Sequence, residues 1–361
     1  MKKNPYKKEK VRAIEVGQKP ISKLLDEMAD TGFQGRRLGE VAQVWERMIR
    51  DPKITILLGY AGSLSTTGQW KLINWLIENR YIDVLVSTGA NISEDIIEAM
   101  GFSYWKGSPN VDDVKLLKND VNRYYDVFGS EVDYMEMTEL IAKFMVENLK
   151  EGYGYSSREL LYLFGKWLWK KDIRSIVATA AQYGVPVFCP AIVDSPYGDG
   201  GLIAKSKGFS LVLDNMKDYV EFMGLAPKIK DTGVVYIGGG VPKDFIQLLA
   251  VTSNLLYPSR QVPGKKPKVF RAERGKKKEL IESYYPHKYA IQITTDVPHW
   301  GGLSGCTFEE ATSWGKEDVK ALKAQCFCDA TIALPIVTHA LQERVKAKRK
   351  GTDFSSAFEK I

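Results

Sequence analysis

The feature that most constrains the fold is a repeated pairing of a short apolar run with a glycine-bearing turn and then a helical pattern. Such units begin with the runs at residues 54–59, 84–89, 185–190 and 234–240. β-Branched runs that alternate with helices are typical of parallel strands joined by crossover helices. A nearly all-apolar strand indicates a sheet covered on both faces. The sequence therefore predicts an α/β fold built on an open, mostly parallel sheet with helices on both faces.

The rest of the chain extends this pattern within one domain. Two later runs, 289–294 and 326–332, also resemble buried strands. Helices are expected where apolar residues recur at helical spacing, at 39–50, 67–79, 93–100, 135–149 and 243–256. No repeat and no Pro/Ser-rich linker divides the chain. We expect one domain over residues 11–345, a basic N-terminal tail at 1–10, a C-terminal tail at 346–361 and an inserted basic surface loop at 258–285.

Composition argues against several classes of protein. The formal net charge of +7 comes from basic runs at 1–10, 265–278 and 345–350. Basic runs of this kind are usually solvated tails and loops, and no groove that combines basic and aromatic residues is indicated, so no nucleic-acid binding is expected. The longest apolar stretch, at 160–169, is far shorter than the roughly 20 residues that span a bilayer. With four cysteines and no signal-like apolar segment, the chain is expected in a reducing cytoplasm.

The histidines and cysteines do not form a recognisable metal site. The three histidines are scattered along the sequence. Cys326 and Cys328 belong to a predicted strand, where we expect their sulfurs to face opposite sides and to be small core groups. Ser65 and Ser195 lack a nearby histidine that would activate a hydroxyl. The sequence therefore predicts neither a metal centre nor a serine triad.

The turns after the predicted strands indicate a nucleotide site. In open α/β sheets ligands bind beyond the carboxyl ends of the strands. The turns at 59–68, 87–91, 194–199 and 238–240 are small, hydroxylic or glycine-rich, so backbone N–H groups can approach a phosphate. None is a strict GxGxxG or Walker A motif, and each alone would most often be a plain turn. Together they favour a nucleotide, and the missing P-loop lysine favours a dinucleotide.

A second motif carries a candidate nucleophile. The segment 304–316 reads SGCTFEEATSWGK and ends at Lys316. A lysine that forms a Schiff base must be neutral, which requires burial or cationic neighbours that lower its pKa from about 10.4. Trp314 is placed to provide an apolar wall and a face for an alkylammonium substrate. From these residues alone, a solvated surface lysine remains the alternative.

The order of the motifs resembles that of the deoxyhypusine synthases, from about residue 11 to residue 340. The shared motifs are TGFQ at 31–34, LGY at 58–60, DVLV at 83–86, SED at 93–95, PA at 190–191, GD at 198–199, GGG at 238–240, SWGK at 313–316 and DA at 329–330. The resemblance implies a Rossmann-like NAD-binding fold and a homotetramer whose active sites are shared between subunits. It also implies that NAD takes a hydride from spermidine and that the butyl part of the resulting imine moves onto the SWGK lysine. An acceptor amine and NADH then complete the transfer.

The resemblance also implies the residues of the site. The lysine that receives the imine is Lys316, and Glu94 and Asp244 occupy further candidate catalytic positions. The NAD contacts correspond to Gly62, Ser63, Leu64, Ser65, Thr66, Thr88, Gly89, Ala90, Glu94, Asp194, Gly239, Thr295, Asp296, Asp329 and Ala330. The polyamine contacts correspond to Asp199, Ser304, Glu310, Trp314 and Lys316.

Three departures from the family pattern concern substrate recognition. The family follows GGGxxK with two histidines, whereas Asp244 and Phe245 follow here. Two carboxylates that bind substrate in the family are replaced by Trp300 and Leu303, and the segment 258–285 is much longer than its usual counterpart. A buried ammonium without an ionic partner is costly, so we expect altered amine recognition. Asp244 is expected to restore one of the lost negative charges from another wall of the pocket.

The leading hypothesis is an NAD-dependent transferase that moves an aminoalkyl group, of the aminobutyl type, from a polyamine to an acceptor amine. The acceptor is a small amine or a protein lysine. A homospermidine synthase-type enzyme is the nearest alternative. A non-catalytic NAD-binding protein and an NAD-consuming hydrolase are two further alternatives, the former because the family histidine is missing.

Overall fold

The structure is a computed structural model that describes residues 9–257 and 286–358. Its strands are β1 (Ile54–Tyr60), β2 (Val84–Ser87), β3 (Trp105–Lys106), β4 (Val121–Tyr124), β5 (Val127–Ser130), β6 (Gly154–Tyr155), β7 (Val187–Phe188), β8 (Val212–Leu213), β9 (Asp231–Ile237), β10 (His287–Thr294) and β11 (Glu317–Phe327). Its helices are α1 (Ile21–Ala29), α2 (Phe33–Arg50), α3 (Trp70–Glu78), α4 (Asp95–Ala99), α5 (Asp113–Leu117), α6 (Glu131–Asn148), α7 (Ser157–Lys170), α8 (Ile176–Tyr183), α9 (Pro196–Ser206), α10 (Asn215–Met223), α11 (Gly240–Thr252), α12 (Phe308–Ser313) and α13 (Ala330–Arg344).

The central sheet has six strands in the order β11-β10-β9-β1-β2-β7, and all neighbouring pairs are parallel. Every residue of β1 is buried. Alternate side chains of β1 enter two separate cores, Ile56 and Leu58 on one face and Leu57 on the other. Both faces are therefore covered, and the predicted open, parallel α/β sheet is confirmed. The predicted helices are found as α2, α3, α4, α6 and α11.

The last strand differs from its prediction. We expected a strand over 326–332, but β11 ends at Phe327 and α13 begins at Ala330. The Asp329 side chain accepts a hydrogen bond from the Thr331 amide at 2.7 Å and caps the helix. The first half of β11 carries charged residues, which an edge strand with one free side tolerates. The prediction therefore missed the polar half of the strand and extended it into the helix.

The expectation for the two neighbouring cysteines was wrong. The sulfurs of Cys326 and Cys328 lie 3.2 Å apart. Residues two apart on a strand project from the same face, so their sulfurs meet instead of pointing to opposite sides.

The C-terminal segment packs against the sheet as far as residue 358. Nη1 of Arg349 lies 2.6 Å from Oδ2 of the buried Asp83, and Phe354 is buried in the second core. The predicted tail at 346–361 is thus packed over its described part. The predicted insert at 258–285 and residues 1–8 of the N-terminal tail lie outside the described residues. None of the described helices has the length and apolar character needed to cross a membrane.

Candidate active site

The turns after β1 and β2 are joined by one buried side chain, that of Asn91. Its Oδ1 accepts from the Leu64 amide at 2.6 Å, and its Nδ2 donates to the Tyr60 carbonyl and to Thr88 Oγ1, both at 3.1 Å. Thr88 Oγ1 in turn donates to the Gly62 carbonyl at 2.6 Å. The two turns that contain the predicted cofactor residues 62–66 and 88–90 therefore form one surface. Sequence reasoning did not single out Asn91, although it ends one of the quoted turn motifs.

Glu94 lies at the same edge of the sheet with its carboxylate turned inward. The side chain is 5% exposed and accepts a hydrogen bond from the hydroxyl of Ser63. Burial raises the pKa of Glu94 to about 7, and the Ser63 hydrogen bond opposes this rise. Its backbone carbonyl accepts from the Tyr104 hydroxyl at 3.1 Å. Glu94 is thus a carboxyl group that can exchange a proton near neutral pH.

The turn after β2 is in close contact with the start of α9. A Cβ on Gly89 would lie 2.2 Å from Ser195 Oγ, so only glycine fits there. The Tyr197 hydroxyl donates to the Ile92 carbonyl at 2.7 Å. This packing places the two predicted aspartates of the region, Asp194 and Asp199, at the carboxyl edge of the sheet, and both are exposed.

Asp199 has an aromatic partner from α6. The hydroxyl of Tyr134 lies 3.3 Å from Asp199 Oδ2. Burial is the main cause that raises the pKa of Tyr134, and the Asp199 charge adds to it. The phenol therefore stays protonated and donates to the carboxylate, which orients Asp199.

The turns after β9 and β10 form a second hydrogen-bonded unit. A Cβ on Gly239 would lie 1.8 Å from the Ser304 carbonyl oxygen, and the Gly240 amide donates to that oxygen at 3.0 Å. Asp296 Oδ2 accepts from the Ser304 amide at 2.6 Å and also from its hydroxyl. The residues predicted for cofactor, Gly239 and Asp296, therefore adjoin one predicted for substrate, Ser304.

The remaining predicted cofactor residues follow the last two strands. Thr295 is exposed directly after β10. Asp329 is exposed, and its Oδ1 caps α13 through Thr331 while Ala330 begins that helix. The structure thus places all of the predicted cofactor positions at one edge of the sheet.

Lys316 lies in the turn between α12 and β11 and is half-buried. Its Nζ donates to Gln247 Oε1 on α11 at 3.2 Å and lies 4.6 Å from the centre of the Trp314 ring. Trp314 is 51% exposed, so part of its ring remains available to a ligand. The structure therefore brings together the predicted lysine and the predicted aromatic wall.

Glu310 has a structural role besides any contact with substrate. Its carboxylate accepts from the Thr307 amide at 2.7 Å, and Thr307 Oγ1 accepts from the Glu310 amide, which forms a capping box at the start of α12. The Thr307 hydrogen bonds lower the pKa of Glu310. It therefore remains a carboxylate at neutral pH.

A second lysine, Lys243, lies buried near Lys316 and was not predicted as a site residue. Its Nζ donates to Gln292 Oε1 at 2.9 Å and to the Cys306 carbonyl at 2.5 Å. Burial lowers the pKa of Lys243, and Lys316 adds to this effect, while Cys306, Asp244 and Glu317 oppose it. The only sequence signal was its place after the glycine turn, because its partners lie far along the chain.

The three substituted positions are accessible from outside. Asp244 is exposed on the first turn of α11, next to Lys243. Trp300 is 83% exposed and Leu303 is 95% exposed. They border the loop that carries Ser304.

Among the described residues, no group of three or more histidine, cysteine or acidic side chains is arranged to hold a metal ion.

Comparison with known proteins decides the family. The family model described as deoxyhypusine synthase matches residues 23–341. The chain belongs to the deoxyhypusine synthase family. "Probable deoxyhypusine synthase 2" of Archaeoglobus fulgidus is 46% identical, with 87% of this chain and 95% of the relative covered. The protein of the same name from Methanosarcina mazei is 44% identical over 95% of this chain and 92% of the relative.

Other relatives of this chain carry a broader name. A "Deoxyhypusine synthase-like protein" of Chlorobaculum tepidum is 33% identical, with 99% of this chain and 96% of the relative covered. The crystal structure of an Entamoeba histolytica protein that bears the deoxyhypusine synthase name matches with a TM-score of 0.56 at 17% identity, covering 90% and 94% of the two chains. That likeness supports the shared fold.

Proposed function

We propose that this protein is an NAD-dependent transferase that moves an aminobutyl-type group from a polyamine to an acceptor amine through an imine on Lys316. Membership of the deoxyhypusine synthase family supports an aminobutyl transferase function. The observation that carries the proposal is the position of Lys316, which is half-buried between the Trp314 ring and Gln247. A lysine amine in its neutral form is a nucleophile towards an imine carbon.

The residues at the carboxyl edge of the sheet fit a dinucleotide. Gly62 has φ +85° and nothing within 4 Å of the position a Cβ would take, which leaves its turn open to a ligand. α11 begins at Gly240 without a capping side chain, and the Ser304 carbonyl accepts from its first amide, so the helix dipole rather than that amide would attract a phosphate. The joined turns around Asn91 would hold another part of NAD. When bound, NAD supplies a hydride acceptor.

The protein's own groups then have distinct tasks. Glu94 can accept or release a proton at its carboxylate near neutral pH. Asp199, oriented by the Tyr134 hydroxyl, provides an ionic partner for an ammonium group. Lys316 forms a covalent bond to the transferred carbon, and Trp314 shields that carbon from water. Substrate binding, proton transfer and group transfer are thus assigned to different side chains.

Amine selection is expected to differ from that of spermidine-specific enzymes. The exposed Trp300 and Leu303 make the rim apolar where the family pattern has carboxylates, while Asp244 adds a negative charge on α11. A guanidinium pairs two N–H groups with one carboxylate, so agmatine is a candidate donor or acceptor beside putrescine and spermidine.

The test is to incubate the protein with NAD and a panel of amines and to identify products by mass spectrometry. Transfer of an aminobutyl group to an acceptor amine other than putrescine supports the proposal. Homospermidine formed from putrescine would instead favour the homospermidine synthase-type alternative. That alternative is retained because Trp300 and Leu303 replace two carboxylates of the family pattern. NAD turnover without a new C–N bond would contradict both.

We also propose a homotetramer with active sites shared between subunits. The apolar side chains of Trp300, Leu303 and Trp314 are all at least half exposed, and a second subunit would cover them. Light scattering tests this directly, because a fully active monomer would rule it out. A cytoplasmic location stays a prediction.

A further inference from the structure

A buried carboxyl group without a partner follows the proposed nucleophile. Glu317 is 2% exposed, and neither of its carboxyl oxygens has a hydrogen-bond partner within the described part of the chain. Buried polar groups are nearly always hydrogen-bonded, so such an exception requires an explanation. The residue directly follows Lys316 and pairs with His287 across β10 and β11. Its location suggests that the explanation lies in the chemistry of the lysine.

The amines around Glu317 are all bonded to neutral groups. Lys316 donates to the amide oxygen of Gln247, as described above. Lys323, from β11 itself, donates to the Thr312 hydroxyl at 3.0 Å. Lys243, from α11, donates to an amide oxygen and a backbone carbonyl. None of the ion pairs among the described residues involves Glu317.

Two uncharged groups complete the surroundings. Tyr236, from β9, lies within electrostatic range of Glu317, and its hydroxyl is buried without a partner in the described structure. His287, from β10, pairs its Nδ1 with Thr232 Oγ1 at 2.8 Å. Burial lowers the pKa of His287 to about 3, and Lys316 contributes, so the imidazole stays neutral and supplies no charge.

The protonation state of the resting carboxyl group follows from these contacts. Burial raises the pKa of Glu317 well above its ordinary value, while the charges of Lys323, Lys243 and Lys316 act in the opposite direction. Burial is the larger effect, so the resting group holds its proton. The attacking amine of Lys316 is neutral, whereas the imine that it forms is protonated, so imine formation places a positive charge near Glu317 and favours its ionisation.

We infer that Glu317 donates a proton during imine formation at Lys316 and then serves as the counter-ion of the protonated imine. The inference rests on the proposed function and adds a residue to it. Glu317 is assigned this role because its carboxyl group is buried, has no hydrogen-bond partner among the described residues and directly follows Lys316 in the chain.

The transfer is balanced in atoms and charge. The neutral Nζ of Lys316 attacks the carbon of a protonated substrate imine, and the new C–N bond forms as the old C–N bond breaks. One proton passes from Nζ to the departing nitrogen during this exchange. Glu317 supplies the second proton, so the departing amine leaves as an ammonium ion. The product is a protonated imine on Lys316 beside an ionised Glu317.

The test uses butanal as a probe, because an aldehyde reaches the same imine without NAD or a polyamine. The intact protein is treated with butanal and cyanoborohydride, and labelling of Lys316 is followed by peptide mass spectrometry across pH. In this case Glu317 protonates the carbinolamine hydroxyl, which leaves as water. Glu317→Gln is expected to slow labelling by at least about tenfold, because it removes a general acid. Deprotonation of the imine also slows reduction at alkaline pH, so the alkaline decline of the rate should be smaller in Glu317→Gln than in the wild type rather than absent.

Glu309→Gln is the matched control, because Glu309 is an exposed carboxylate on α12 outside the proposed machinery. It should label Lys316 at the wild-type rate. Equal rates and pH profiles in wild type and Glu317→Gln would overturn the inference and leave the proposed function standing. Absence of label on Lys316 in the wild type would contradict the proposed function itself, and the inference with it.

A measurement on the wild type covers the case in which Glu317→Gln does not fold. Infrared difference spectra before and after butanal addition should show loss of a protonated-carboxyl C=O band as the imine forms. An unchanged carboxyl region, with Lys316 labelled, would overturn the inference.

Discussion

Replacement of Asn91 by alanine tests how strongly the two proposed cofactor turns depend on one side chain. Asn91 is fully buried and makes three side-chain hydrogen bonds, to Leu64, Tyr60 and Thr88. At about 1 kcal/mol net for each bond, Asn91→Ala should lower the free energy of unfolding by about 3 kcal/mol. The Leu64 amide is the group left without its acceptor.

Asn74→Ala provides a matched control at another buried asparagine. Asn74 is 8% exposed and makes one side-chain hydrogen bond, from Nδ2 to the Arg174 carbonyl at 3.1 Å. Its loss should cost about 1 kcal/mol. Urea unfolding at one fixed protein concentration gives both values, because a change in assembly would otherwise alter the midpoint. NAD affinity, measured by calorimetry, should fall only in Asn91→Ala.

Equal destabilisation of the two variants would refute this reasoning about the turns. The reasoning would also be refuted if Asn91→Ala is less stable than Asn74→Ala but has the same affinity for NAD. In that case the Asn91 hydrogen bonds would stabilise the fold without shaping the proposed cofactor surface.

Three further predictions concern single side chains. Burial raises the pKa of Asp95 from 3.8 to about 7. Between these values the folded protein keeps a proton that the unfolded chain loses, so the free energy of unfolding should fall as pH rises from about 4 to about 7. Asp95→Asn should remove part of that fall in thermal melts, and an unchanged pH dependence would contradict it. Tyr134→Phe removes the hydrogen bond to Asp199 and should raise the KM for the amine about fivefold with little change in kcat, whereas an unchanged KM would exclude the positioning role. Asp244→His should shift kcat/KM from agmatine towards spermidine, and an unchanged preference would show that position 244 does not select the amine.

The sequence was most informative where burial is continuous along a strand. β1 and β2 are fully buried, so their runs of apolar residues are conspicuous. β11 lies at the sheet edge and alternates buried with exposed residues, many of them charged, which hides its first half. Local pattern therefore identified the centre of the sheet and misplaced its edge.

The candidate site was predictable where it depends on motifs and not where it depends on tertiary contacts. The glycine turns and Lys316 are recognisable within short stretches of sequence. Lys243 donates a hydrogen bond to the backbone carbonyl of Cys306, which lies 63 residues later in the chain. The residues around Lys243 give no indication of that partner. Glu317 looks like an ordinary charged residue after SWGK, and only the fold shows that it is buried without a partner.

The covalent intermediate on Lys316 is the most direct test of the proposed mechanism. The protein is incubated with NAD and each amine of the panel, treated with borohydride to trap any imine, and digested for mass spectrometry. The account predicts an added aminobutyl mass on Lys316 that requires both NAD and a substrate amine. The same mass on a different lysine, or on none while product still accumulates, would contradict it.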